Sequence, residues 1–248
     1  MNFWPEGYAL SHFDEIDSTN EEARRIASAG GKGPLWITAA RQTSGRGRRG
    51  RVWESPVGNL AATLLIDPGK PASECAQLSF VAAIAAADMI GAAAPRADIR
   101  VKWPNDVLAD GKKIAGILLE SASNGAAAPQ WLAIGIGINL KHFPPQTEFP
   151  AISLAALGVT PPEPREALTA LAASFAKWYE LWRERGFAPV RDAWLARAAG
   201  LGARIVARLS NGEATGVFEG LDESGALILR EGQGRSRIIA AGEIFFVS

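Results

Sequence analysis

The chain has 248 residues, 48% of them hydrophobic, and 26 basic side chains balance 26 acidic ones for a formal net charge of +0. That length allows one large domain with a small appendix, the composition supplies a sizeable core, and the neutral balance argues against a protein whose main work is coating nucleic acid or an anionic membrane. A single cysteine, Cys75, and two histidines, His12 and His142, exclude an intramolecular disulfide and a cysteine or histidine metal cluster, and disfavour a Ser-His-Asp triad.

In chain order, Met1–Glu6 carries neither the charged nor the apolar region of a secretory signal, so a cytoplasmic location is expected. Residues 8–16 read as a strand. Asp17-Ser18-Thr19-Asn20 then opens a helix to about Ala29, where Ser18-x-x-Glu21 and Thr19-x-x-Glu22 both fit a capping box and Gly30-Gly31 supplies a stop. Leu35–Ala40 and Leu60–Ile66 are expected strands. Ala76–Ala94 reads as a long apolar helix, and Asp88 inside it favours a buried helix over a membrane span. Ile99–Trp103 is a strand stopped by Pro104; Val107–Ala109 and Ile114–Leu119 flank an Asp110-Gly111 hairpin turn, and Trp131–Leu140 supplies a further strand. Many strands with short turns and few helices between them indicate an α+β fold built on a mixed or antiparallel sheet. A proline-rich surface crossing over residues 141–165 leads to two helices, Glu166–Arg185 and Pro189–Ala199. Short β-type runs broken by Asn211-Gly212, Ser224-Gly225 and Gly232/Gly234 then predict a small β-barrel, dividing the chain into domains over residues 1–200 and 201–248.

The most informative stretch is Gly45-Arg-Gly-Arg-Arg-Gly-Arg-Val-Trp53. Its glycines let the backbone bend and approach a ligand closely, while its arginines offer planar forks for phosphate or carboxylate oxygens. Gly45-x-Gly47-x-x-Gly50 formally matches a dinucleotide fingerprint, but Pro56 and Gly58 stop the helix that fingerprint needs. A protein kinase would need His-Arg-Asp and Asp-Phe-Gly, which are missing from the sequence. A solvated basic loop is the ordinary fate of such a run.

Other segments add to it. Lys102-Trp-Pro-Asn-Asp106 places a cation, an amide and a carboxylate at a strand end, or is simply a turn. Lys113 starts the apolar run Ile-Ala-Gly-Ile-Leu-Leu, as a solvated edge charge or as a point charge aimed at an anion, with Gly116 leaving room for the ligand's body. In Ile134-Gly-Ile-Gly-Ile-Asn139, Gly135 and Gly137 share a strand face, which suggests that something flat lies against the backbone there.

Taken together and in this order, Asp17–Asn20, Gln42–Arg51, Ser55–Leu60, Lys102–Asp106, Lys113–Leu118 and Gly135–Asn139 resemble the biotin–protein ligase family. One departure is Ala61, where an aromatic is expected. The resemblance implies a catalytic domain related to class II aminoacyl-tRNA synthetases and a C-terminal SH3-like barrel. It implies activation of biotin by ATP with Mg2+ to biotinyl-5′-AMP, then transfer to a lysine of a biotin carboxyl carrier protein domain of acetyl-CoA carboxylase or a related carboxylase. The form implied is monofunctional, without an N-terminal helix-turn-helix, a specific DNA partner or a membrane role; a homodimer is compatible with it.

Carried over residue by residue, Ser18, Thr19, Asn20 and Gln42 would hold the polar end of biotin, Gly116, Gly135 and Gly137 would form its flat floor, and Gly45 and Gly47 of the loop would complete the biotin site. Arg46 and Arg48 would close over the carboxylate and phosphates, and Arg49 and Arg51 would give the loop its field. Lys113 would hold the reacting oxygens, making Lys113 and Arg48 the catalytic pair. Trp53 would stack on adenine; Asn105, Asp106 and Asn139 would face ATP, with Asp106 the candidate to place magnesium.

The chemistry agrees with this division of labour. A carboxylate must attack the α-phosphate, and two unit charges at roughly 4 Å repel by about 4 kcal/mol at an effective dielectric near 20. Cations aimed at the developing charge offset that repulsion, and no protein nucleophile is required. On this reading the loop's charges serve a ligand, so replacing one is expected to be nearly silent for stability. The rivals are a lipoate or octanoate attachment enzyme of the same fold and, from another class, an RNA-binding module using the arginine loop.

Overall fold

The computed structural model describes residues 3–122 and 128–247. The chain runs β1 (Ala9–Ile16), α1 (Thr19–Ser28), β2 (Leu35–Gln42), β3 (Leu60–Ile66), α2 (Ala72–Cys75), α3 (Leu78–Ala93), β4 (Ile99–Lys102), β5 (Asp106–Ala109), β6 (Lys112–Ala122) and β7 (Trp131–Ile138). Helices α4 (Pro164–Arg185) and α5 (Ala188–Leu195) follow, then β8 (Arg204–Leu209), β9 (Gly212–Leu221), β10 (Leu227–Arg230), β11 (Ser236–Ile239) and β12 (Glu243–Phe246).

Seven strands form one sheet in the order β1-β2-β3-β7-β6-β5-β4. Only β1 and β2 are parallel, joined by the crossover helix α1; every other neighbouring pair is antiparallel. Helix α1 packs on β2, β3 and β7, while α3 and α4 pack on the sheet. Strand β3 is therefore buried along its whole length, which explains its unbroken apolar run. Helix α3 is apolar all round because the sheet, α4 and α5 surround it. The stretch Ala72–Ala93 is long and apolar enough to cross a membrane by composition, but in the fold it is a core helix. Asp88, the one charge in α3, accepts from Ser174 Oγ (2.9 Å) and Trp178 Nε1 (2.8 Å), pinning α4 to α3.

Local chemistry sets the turns. Asp110 (φ 48°) and Gly111 (φ 74°) are both left-handed, as a two-residue hairpin of this twist requires. The expected capping box on α1 does not form: Ser18 sits at the N-cap with extended backbone and makes no side-chain cap bond. Thr19 instead turns its hydroxyl inward, toward Gln42 and Thr63. A capping box does open α4, between Glu163 and Glu166.

The helix expected to reach Ala199 ends at Leu195. The backbone beyond it serves as an edge partner: Val101 N donates to Arg197 O (3.0 Å) and Ala199 N to Val101 O (2.8 Å). Residues 204–246 form a five-stranded antiparallel sheet, β11-β10-β9-β8-β12, with Ile205, Phe218, Leu227, Leu229 and Ile244 buried inside it. This small β domain docks through Trp103 Nε1, which donates to Gly225 O (3.1 Å).

Candidate active site

A cavity of about 330 Å³ lies over the middle of the seven-stranded sheet, roofed by the arginine loop, the segment around Phe149, and Glu243 and Phe245 of the β domain. Its floor is a register row crossing five strands: Ala61 on β3 pairs with Gly137 on β7, Gly137 with Gly116 on β6, Gly116 with Asp106 on β5, and Asp106 with Lys102 on β4. Residues directly opposite one another share a face. The row is small and apolar at one end and charged at the other.

The neutral end is a closed network at the start of α1. Gln42 Oε1 accepts from Thr19 N (2.8 Å) and Thr19 Oγ1 (3.1 Å), and Gln42 Nε2 donates to Ser55 Oγ (2.7 Å). Thr63 Oγ1 lies 2.8 Å from Thr19 Oγ1 and donates to Asn20 Oδ1 (2.6 Å). Asn20 Nδ2 donates to Glu120 Oε2 (2.8 Å). Ser18, Thr19 and Asn20 are all buried, so the first turn of α1 presents donors and acceptors in fixed orientations. Here the inward turn of Thr19 finds its purpose.

The chain's own side chains cover the flat glycine face. A Cβ at Gly135 would run into the Asn20 amide, and one at Gly137 into the Trp53 indole; at Gly116 it would press on Trp53 and Lys113. Gly45 likewise has no room for a Cβ against Trp53 O. Trp53 thus lies against Gly116 and Gly137, between the neutral end and the charged one.

A β-bulge places Lys113. Val107 pairs with Ala115 but Leu108 with Lys113, leaving Ile114 as the extra residue. In a regular strand Lys113 and Gly116 would point to opposite faces; the bulge re-aims Lys113. Its Nζ reaches Asp106 Oδ1 (2.5 Å), and its backbone is pinned by Lys113 N to Pro150 O (2.7 Å) and Ile152 N to Lys113 O (2.9 Å). Asn105 Nδ2 donates to Ile117 O (2.6 Å) while its Oδ1 accepts from Arg48 (3.3 Å); Asn139 Nδ2 donates to Ile152 O (3.0 Å).

The arginine loop is a narrow hairpin, closed by Gly47 N to Arg51 O (2.7 Å) and Trp53 N to Gly45 O (2.9 Å), with Arg49 (φ 56°) and Gly50 (φ 73°) left-handed at its tip. Each arginine has a partner. Arg46 pairs with Glu21 (3.0 Å) and Glu120 (3.7 Å), and Arg51 (2.8 Å) and Arg49 (3.8 Å) pair with Glu243. Arg48 also reaches the β domain, donating to Gly242 O (3.3 Å). The two contacts of Arg48 join three segments of the fold, so its replacement is expected to cost about 1 kcal/mol instead of being silent.

Burial pushes the Glu243 carboxyl up, but the Arg51 hydrogen bond and the charges of Arg51, Arg49 and Arg48 outweigh it and hold the group below its ordinary value. A depressed carboxylate contributes stability above its unfolded pKa and loses it as pH falls through the folded value. Glu243→Gln should therefore speed hydrogen exchange in residues 45–53 at pH 7, and the difference from the unmodified chain should shrink toward pH 4. Equal protection at pH 7 would refute this latch.

Of the residues singled out from the sequence, Ser18, Thr19, Asn20, Gln42, Arg46, Gly47, Arg48, Arg51, Trp53, Asn105, Asp106, Lys113, Gly116, Gly135, Gly137 and Asn139 line this cavity, whereas Gly45 packs against the Trp53 backbone and Arg49 turns to Glu243 at the loop tip. Thr63, Ser55, Glu120, Phe149, Glu243 and Phe245 were not singled out as site residues, and Lys102 was named only as the cation of its strand-end cluster. Thr63 carried a signal, a lone hydroxyl inside an apolar strand; the β-domain residues carried none.

Comparison with known proteins decides the family. Residues 12–139 match the biotin/lipoate A/B protein ligase family, and residues 200–247 match the biotin protein ligase C terminal domain. The chain belongs to the biotin/lipoate protein ligase family. Within that family it is 48% identical to a biotin–[acetyl-CoA-carboxylase] ligase of Paracoccus denitrificans, covering 93% of this chain and 97% of that one. It is 32% identical to the bifunctional ligase/repressor BirA of Bacillus subtilis, covering 95% of this chain but 73% of that one. The biotin protein ligase of Aquifex aeolicus, solved with biotin and ATP, superposes with a TM-score of 0.82 at 28% identity over 96% of this chain and 97% of that one.

Proposed function

We propose that the cavity joins biotin to ATP and passes the biotinyl group to a carrier protein, making this family member a biotin–[acetyl-CoA-carboxylase] ligase. The observation that carries the reading is the two-ended site: a neutral, orientation-fixed hydrogen-bonding network around Thr19, Gln42 and Thr63, and a cationic end at Lys113 and Arg48, with Trp53 between them. The neutral end suits a cyclic urea, which needs donors and an acceptor at once. The cationic end suits a carboxylate meeting an α-phosphate.

In this reading the network holds the biotin ring while Lys113, steadied by Asp106, neutralises the oxygens where the carboxylate attacks. The bond formed joins a biotin oxygen to the α-phosphorus, and the α–β phosphoanhydride breaks as pyrophosphate leaves. Among the described residues no three His, Cys, Asp or Glu side chains group together, and Lys113 already holds Asp106. These residues fit a magnesium ion held chiefly by the nucleotide's phosphates and water, with Asp106 the carboxylate on the cavity floor beside it; bound there, it would neutralise phosphate charge. In the second half-reaction a carrier lysine amine attacks the acyl carbon and AMP departs. The expected partner is a carboxylase's biotin carrier domain.

Biotin, ATP and a carrier domain incubated with the protein should give a stable amide label on one carrier lysine. No transfer of biotin would reject the reading. Octanoate and lipoate are expected to be poor substrates, because an acyl chain brings neither donor nor acceptor to the polar Thr19–Gln42 end of the site. Against an RNA-binding module stands the internal pairing of Arg46, Arg49 and Arg51 with Glu21, Glu120 and Glu243, which neutralises the field such a module would need.

Arg48→Gly should release biotinyl-5′-AMP before transfer, since it removes the arginine that ties the loop to Asn105 and Gly242. The expected result is labelling of bystander proteins together with a small fall in melting temperature. A variant that labels only the carrier would show that Arg48 does not retain the intermediate.

A further inference from the structure

We propose that Asn59 is a positioning residue: its buried amide roots the loop that roofs the charged half of the cavity, and so sets the affinity for ATP without touching it. The inference deepens the ligase reading above and rests on it for which substrate lies under that roof.

Residues 143–151 supply much of the roof, with Pro144, Gln146, Thr147, Glu148, Phe149 and Ala151 lining the cavity. Among the described residues no backbone hydrogen bond begins or ends between Phe143 and Phe149. A segment of that kind takes its course from its two roots. The far root is fixed on β6 by Lys113 N to Pro150 O (2.7 Å) and Ile152 N to Lys113 O (2.9 Å). The near root is the turn after β7. There Asn59, 5% exposed and just ahead of β3, meets three successive backbone amides. Its Oδ1 accepts from Leu140 N (3.1 Å), Lys141 N (3.0 Å) and His142 N (2.9 Å), while its Nδ2 donates to His142 O (2.9 Å).

Three amides converging on one point need an acceptor, and the carbonyl beside them needs a donor. An amide side chain offers both at once; a carboxylate brings no proton, and a leucine brings neither. Gly58 (φ 97°) clears the way, since a Cβ there would run into the Lys141 side chain. The turn so held is tied across to the far root: Leu154 N donates to Asn139 O (3.1 Å), Ala155 N to Leu140 O (2.9 Å) and Ser153 Oγ to Lys141 O (3.2 Å). Both ends of the roof loop are thus clamped together, and Asn59 joins the clamp to the start of β3. Two loop side chains take their places from it: Phe149 lies under the Lys102 ammonium, and Glu148 meets Arg51 and Arg208. These contacts lie at the charged end of the cavity, and among the described residues none reaches the Thr19–Gln42 network.

The test uses Asn59→Leu, close in size but without polar atoms, and Asn59→Asp, which keeps an oxygen for the three amides but loses the donor to His142 O. In biotin-dependent exchange of pyrophosphate into ATP, Asn59→Leu should raise the KM for ATP by about 10- to 100-fold, the range for buried polar groups left without partners. The KM for biotin should stay within about 3-fold of the unmodified chain. Asn59→Asp should recover most of the loss, leaving a rise of about 3- to 10-fold confined to ATP. A role in stability alone would lower the melting temperature and leave the two KM values in proportion. Values that rise together, or a KM for ATP that does not move, would overturn the proposal. Cleavage after Glu148 by a glutamate-specific protease reads the loop in the ligand-free protein. It should be about 10-fold faster in Asn59→Leu, following the population of opened loop; equal rates would also overturn the proposal. Should the Leu variant fail to fold, Asn59→Asp decides by the same KM split and the same cleavage. If the unmodified chain shows no biotin-dependent exchange of pyrophosphate into ATP, the ligase reading itself fails, and the cleavage rates still decide whether Asn59 roots the loop.

Discussion

Lys113→Ala is expected to lower the rate of biotin-dependent pyrophosphate release by about 10²- to 10³-fold, the cost of removing a donor aimed at developing negative charge. The bulge that turns Lys113 onto the cavity face, and the two backbone bonds from residues 150 and 152, hold it there independently of its charge. The alanine variant should keep that backbone. Its stability cost is the partner lost by Asp106, a half-buried carboxylate, at about 1–2 kcal/mol. Pyrophosphate release under saturating biotin and ATP, read beside a thermal melt, separates the two effects. A variant that melts normally and still releases pyrophosphate at the native rate would remove Lys113 from the chemistry.

Gly137→Val should be the most damaging single change on the cavity floor. Even a Cβ at this position collides with the Trp53 indole, and the valine methyls add to the conflict. Overpacking of this kind costs about 1–3 kcal/mol, and it displaces the ring that separates the two halves of the site. Adenylation is expected to fall below detection while the sheet survives. The double variant Gly137→Val/Trp53→Ala should regain thermal stability, because the collision partner is gone, but not affinity for ATP. If removing Trp53 restores no stability, the indole is not what Gly137 accommodates.

These two residues also show what a sequence can and cannot disclose. The alternation of Gly135 and Gly137 placed them correctly on one face, because strand periodicity is fixed at two. What lies on that face is set by chain segments 80 to 120 residues away in sequence, Asn20 and Trp53, and spacing alone is silent about them. Lys113 posed the opposite difficulty. Regular alternation puts it on the far side of the sheet from Gly116, and only the unpaired Ile114 brings the two together; a bulge leaves no mark in the hydrophobic pattern when the extra residue is itself apolar and buried. The strands and helices were legible because burial imposes their periods. Ser18 and Thr19 looked like a helix cap because the same hydroxyls suit a cap and a binding network, and only the position of Gln42 and Thr63 decides between them. The contribution of Glu243 could not be read at all, since its partner Arg51 lies almost two hundred positions earlier, and Phe245 meets Lys102 across more than one hundred.

The short pairing of Val101 with residues 197–199 bears on how the protein is made. Strand β4 is the last strand of the large sheet, and its outer edge is covered only by backbone that the ribosome delivers nearly one hundred residues later. Until Ala199 emerges, a nascent chain already holding all seven strands of that sheet presents an open row of amides and carbonyls, the kind of template that recruits foreign strands. Docking of the small β domain onto Trp103 comes later still. Synthesis therefore has a vulnerable interval, between completion of β7 and arrival of residue 199, in which a pause or premature stop releases a sheet with a sticky margin.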